Sequence, residues 1–147
     1  MTVLSYGTAQ MIDRPPGHVF DFCADLRNEE QWNPTLEYVE KLTDGPMGVG
    51  TRYRAKWSNA GPVDVEVVRF DRPTLWETRS RAGGLEITVR STLTGVGAQT
   101  RYETRLEIKA RGLARLYAPM ALFAMRRSEP RNLRNIKKAL EAINRGC

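Results

Sequence analysis

From residue 51 onward, five segments keep strict alternation between two kinds of side chain, and that period of two dictates what the chain can become. Thr51, Tyr53, Ala55 and Trp57 alternate with Arg52, Arg54, Lys56 and Ser58, and Val63, Val65 and Val67 with Asp64 and Glu66. Trp76, Thr78 and Ser80 alternate with Glu77, Arg79 and Arg81. Leu85, Ile87, Val89 and Ser91 alternate with Glu86, Thr88 and Arg90, and the last set, Thr100, Tyr102, Thr104, Leu106 and Ile108, with Arg101, Glu103, Arg105, Glu107 and Lys109. Successive side chains of a strand point to opposite faces, so each segment predicts a strand with one covered and one wet face. Turn residues separate them: Asn59 to Pro62, Asp71 to Pro73, Ala82 to Gly84 and Gly95 to Gly97. Connections this short predict an antiparallel meander. With the strand-like residues 2–13 and 35–42, about seven strands result.

Two short helices are expected between the first and second strands. Val19 to Ala24 follows Pro15 and Pro16, which suit a first helical turn. Asp25 to Trp32 reads as a second helix, with Asp25 as N-cap, Asn28 or Glu29 in its first turn, and Asn33-Pro34 as its stop. After Gly112 the period becomes helical. Leu113, Leu116, Tyr117, Met120, Phe123 and Ala124 form one apolar stripe, and Leu133, Ile136, Leu140 and Ile143 another. The stripes do not share a phase through one straight helix, and Pro130 lies between them. A kink or short break is therefore predicted near residues 127–131, with Pro119 a second weak point. Laid on one face of the sheet, this long helix covers the strands and leaves its charges in water. The expected fold is a single α+β domain over residues 1–147, a curved antiparallel sheet around a long C-terminal helix.

The covered strand faces carry an unusual mixture. Beside Trp57, Trp76, Val65 and Ile87 stand Thr51, Ala55, Thr78, Ser80, Ser91 and Thr104. Solid cores are close-packed, and buried hydroxyls need partners. Small and hydroxylated residues on a concave face leave space and scattered polar anchors, the ingredients of a small-molecule pocket. The alternative is that the hydroxyls bond neighbouring backbone or water while the helix fills the gap. Arg69 has two readings. Strict alternation from Val63 puts it inside, where it would need a carboxylate or a polar ligand, whereas a β-bulge near Val68 turns Val68 and Phe70 inward and Arg69 out. The candidate lining is Trp32, Tyr53, Trp57, Val65, Arg69, Trp76, Thr78, Ser80, Ile87, Tyr102, Thr104, Leu116, Met120 and Phe123.

Composition narrows the chemistry. One histidine, His18, at a helix start, and two cysteines, Cys23 and Cys147, make a Cys/His metal site or a disulfide framework unexpected. The run from Gly45 to Gly50 lies between strands and offers phosphate no helix N-terminus, so no dinucleotide or other cofactor is expected. No apolar stretch reaches bilayer length and the first residues have no signal-peptide pattern, which reads as a cytoplasmic protein. The net charge of +6 is uneven: residues 109–147 hold ten Lys/Arg against Glu129 and Glu141, while residues 1–108 sum to −2. Arg126, Arg127, Arg131, Arg134, Lys137 and Lys138 offer contact with an anionic membrane, or simply a solvated face. Nucleic acid is a poor fit, because no surface aromatics interleave with the arginines to stack on bases.

The order of strand, two short helices, six strands and long helix resembles the polyketide cyclase/dehydrase-like branch of the START-like superfamily, which includes the birch-pollen allergen. The residues that carry the resemblance are Val19 to Phe22, then Asp25, Asn28, Trp32 and Pro34, then Pro46 to Tyr53, Gly95 with Gly97, and Arg111-Gly112-Leu113 before the last helix. It implies a helix-grip fold with a central cavity for lipids, sterols, quinones, plant hormones or polyketides. It also implies a capping role for Asp25, turns at Gly48 and Gly50, and Trp32 near the cavity entrance. Pro130 departs from the family's uninterrupted last helix.

Three functions are therefore expected in order: binding or carriage of an apolar or amphipathic small molecule, cyclisation and dehydration of a polyketide, and membrane association through the basic helix. For the enzyme reading, Tyr53, Tyr102, Ser80, Thr104 and conditionally Arg69 are the available groups. No carboxylate or histidine falls clearly on the inner face. Monomer and homodimer both remain open.

Overall fold

The computed structural model describes residues 2–58 and 60–142; Ile143 and Cys147, named above, lie outside the described residues, as does Asn59. Seven strands form one antiparallel sheet: β1 (Thr2–Ile12), β2 (Leu36–Lys41), β3 (Arg52–Trp57), β4 (Val63–Asp71), β5 (Leu75–Ala82), β6 (Leu85–Val96) and β7 (Gln99–Ala110). Their order is β1-β7-β6-β5-β4-β3-β2. The predicted meander holds from β2 to β7. The exception is β1, which pairs with β7 (Thr2 opposite Ala110, Ile12 opposite Thr100), because the two short helices carry the chain across to the opposite edge before β2 begins. Gly83 and Gly84 join β5 to β6 with φ of 54° and 84°, the left-handed pair that a two-residue hairpin turn demands.

Helix α1 (Pro16–Cys23) starts with proline at its first position and buries Val19, Phe20 and Phe22, while His18 stays exposed. Phe20 meets Phe70 and Trp76 edge-on, with ring centroids at 5.1 and 5.2 Å, and Trp76 meets Tyr102 likewise at 5.7 Å. A 3-10 segment, Leu26–Gln31, follows. Its predicted cap is present: Asp25 Oδ1 accepts the Arg27 backbone N–H at 3.1 Å.

Helix α2 (Ala114–Ala142) runs unbroken through Pro119 and Pro130, so no break falls at residues 127–131. The reason lies in which stripe is buried. Ala114 and Ala118 pack against Ile108 and Ala110 of β7, with Ala121, Leu122 and Met125 half-buried beside them, and Leu133, Ile136 and Leu140 continue the row. These positions share one phase, so the apparent mismatch across Pro130 disappears. Leu116, Met120 and Phe123, expected inside, instead stand on the outer side of the helix, 79%, 73% and 62% exposed. Alanines won the inner row because they let the helix close on the sheet. A Cβ placed on Gly84 would lie 3.0 Å from that of Ala114, which leaves no room there for a larger side chain. Among the described residues no helix is long and apolar enough to cross a membrane.

Candidate functional site

Strand register decides which residues look inward. On β4, Val65 and Val67 pair with Ser80 and Thr78, but the register shifts between Val67 and Arg69, leaving Val68 as the extra residue of a bulge. Phe70 therefore turns into the core, whereas Arg69 turns out and ion-pairs with Asp71 at 2.9 Å. Arg69 is thus no part of the interior. On β5, β6 and β7 the inward set is Trp76, Thr78 and Ser80, then Ile87, Val89, Ser91 and Leu93, then Tyr102, Thr104, Leu106 and Ile108. Trp76, Ser91, Tyr102 and Thr104 are buried, yet Thr78, Ser80 and Ile87 keep solvent access. α2 packs chiefly against β1 and β7, and the inner side of β5 and of the first half of β6, from Leu85 to Val89, is less covered.

The remaining predicted residues divide. Tyr53 is fully buried and committed, its hydroxyl donating to Asp25 Oδ1 at 3.2 Å. Trp32 is half-buried at the margin of the main core cluster. Trp57 is half-buried and donates its indole Nε1–H to Glu29 Oε2, which also accepts from Asn33 Nδ2 at 2.8 Å.

That last contact exposes what the sequence reading missed. Two carboxylates do enter the interior: Glu29 from the 3-10 segment and Glu129 from α2, close enough for their charges to repel. Burial raises Glu29 above the ordinary range despite its two donors. Glu129 is pushed up to about 7, first by burial and then by Glu29, against a hydrogen bond from Asn132. Asn132 Oδ1 is itself buried with no partner. Tyr102 completes the group, its hydroxyl 3.3 Å from Ser91 Oγ. Burial, then the Cys23 thiol, raises its ionisation well above the usual tyrosine value, with Glu129 a smaller contributor. Burial likewise raises the free Cys23 thiol, so both stay protonated.

Chemically, the interior thus offers a carboxyl that titrates near neutrality, an unpartnered amide oxygen, two neutral hydroxyls and an apolar wall. One signal for Glu129 was present in the sequence: it is one of two acids in a strongly basic segment, and it falls in phase with Met125, Leu133 and Ile136. Glu29 had no such signal. A separate surface depression of about 460 Å³ lies at the β5–β6 turn, lined by residues such as Arg81, Leu85, Lys109 and Arg111, and only Leu85 among these faces the concave side.

The comparisons agree with this architecture. The Zhui aromatase/cyclase from Streptomyces sp. R1128 superposes with a TM-score of 0.83 over 99% of this chain and 98% of its own, at 14% identity. A START superfamily protein from Mycobacterium smegmatis gives 0.79 over 95% and 99%, at 12% identity. Ara h 8.0201 gives 0.75 over 96% and 99%, at 14% identity. No curated protein matches in sequence. Residues 5–141 match the model of the family described as polyketide cyclase / dehydrase and lipid transport, and this helix-grip chain belongs to that family.

Proposed function

We propose that the protein binds an apolar or amphipathic small molecule between the sheet and α2, with a polar group of the guest directed at Glu129, Asn132 and Tyr102. The observation that carries this reading is the unspent hydrogen-bonding capacity of the interior. A buried acceptor without a partner costs about 1–3 kcal/mol, and Asn132 Oδ1 is one. A guest that donates to it removes that cost. The inward but solvent-accessible Thr78, Ser80 and Ile87 supply a wall with access from outside. Burying about 200 Å² of ligand apolar area contributes about 5 kcal/mol before association costs, short of the about 8 kcal/mol that micromolar binding requires, so the polar anchors and any further buried area supply the remainder.

Native mass spectrometry of the gently purified protein, followed by titration with fatty acids, sterols, quinones and aromatic polyketides, tests the reading. A bound species that weakens in Asn132→Leu is the expected result. No bound mass and no thermal shift with any of the four classes rejects it.

Glu129 favours a second reading, polyketide cyclisation. A group with its midpoint near neutral pH can both accept and return a proton at working pH. Glu129 would take a proton from a methylene flanked by two carbonyls of a poly-β-keto chain. The resulting enolate carbon would attack a further carbonyl, and Tyr102 or protonated Glu129 would donate to the new alkoxide. The structural likeness to an aromatase/cyclase lends support. Glu129→Gln should abolish cyclised product while guest binding persists; an unchanged product profile removes this second reading and leaves the first standing.

A further inference from the structure

Burial of the alanine row leaves the opposite side of α2 with a use to explain. Leu113, just before the helix, and Leu116, Tyr117, Met120 and Phe123 recur at helical spacing, and all are exposed. Contiguous large apolar side chains on a soluble monomer usually mark a contact surface. Along this stretch of chain the charge has one sign: no carboxylate occurs between Glu107 and Glu129, while Arg111, Arg115, Arg126 and Arg127 are exposed. Among the described residues none of these four arginines is ion-paired. Arg127 stacks over the Phe123 ring at 5.8 Å, which keeps its guanidinium beside the stripe, while the neighbouring Arg126 lies over Tyr6 of β1 at 5.4 Å.

We infer that the first half of α2 docks the protein onto an anionic lipid surface. The stripe is a ridge on one helix rather than a groove, so it suits shallow insertion among acyl chains, with arginines reaching back to phosphate groups. A second copy fits less well. A two-fold contact through this ridge would bring the same arginines face to face, with no carboxylate on this stretch of the helix to neutralise them. This surface differs from the basic second half of the helix singled out by charge alone, because here apolar side chains and charge coincide. It also stands independently of the interior: docking needs neither a guest nor Glu129.

The test is vesicle co-sedimentation of the full chain, with phosphatidylcholine alone and with phosphatidylcholine plus phosphatidylglycerol. Wild type should bind the anionic vesicles, weaken in high salt and ignore the neutral ones. Met120→Gln with Phe123→Gln should lower binding about tenfold or more, with the thermal midpoint retained because both side chains stand in water. Arg126→Ala with Arg127→Ala should also weaken it. A tryptophan introduced as Phe123→Trp should shift its emission to the blue on vesicles, which reports insertion rather than mere attraction. Equal binding to both vesicle types, or anionic binding untouched by the Gln pair, overturns the inference. So does a concentration-dependent dimer that the Gln pair abolishes in the absence of any vesicle binding, since the partner would then be a second copy.

Discussion

Replacing Glu129 with glutamine keeps the shape of the side chain and removes its proton equilibrium, which makes the consequence calculable. Burial, with Glu29 second, moves this carboxyl from an ordinary 4.5 to about 7 in the folded protein. Between those two values the folded state binds more protons than the unfolded one. The contribution to stability is therefore complete below pH 4.5, falls as the pH rises through 7, and is level above. At about 1.4 kcal/mol per tenfold change in proton affinity, the whole fall is about 3 kcal/mol, an upper figure for a residue that keeps some solvent access. Glu129→Gln has no such titration. Its stability relative to wild type should rise by up to about 3 kcal/mol between about pH 4 and about pH 8, whatever constant offset the substitution adds. Urea unfolding followed by the fluorescence of Trp32, Trp57 and Trp76 across that range supplies the curve. Glu29→Gln should shrink the amplitude without abolishing it, because burial is the larger cause. A difference between Glu129→Gln and wild type that stays flat with pH refutes the placement of this carboxyl in the interior.

Asp25→Ala should cost about 1–2 kcal/mol in urea unfolding, since it removes the cap on Arg27 N–H, an ion pair and the acceptor of the buried Tyr53 hydroxyl. Ala118→Leu should destabilise by about 1–3 kcal/mol, because Ala118 is fully buried against β7; thermal melts read it, and an unchanged midpoint would mean that α2 sits farther from the sheet. Thr78→Trp should fill the accessible side of the interior and abolish a guest mass in native spectra while leaving the thermal midpoint within a few degrees. Retained guest binding in that variant would move the site elsewhere.

The sheet was legible because a strand writes its two faces into the sequence as a period of two, and because glycine pairs such as Gly83-Gly84 announce the turns. Asp25 likewise declared its own role, since a cap acts only two or three residues away. Three matters needed the folded chain. One extra residue at Val68 reversed the side on which Arg69 emerges, and both registers suited the alternation. Two stripes on α2 competed for the sheet, and the smaller side chains won by close approach rather than hydrophobicity. Glu29 and Glu129 came together from opposite ends of the chain, where neither residue carries information about the other. Periodicity and capping are local properties that a sequence states directly. The choice of face, and the environment of a charge, depend on contacts between distant segments and exist only once those segments have packed.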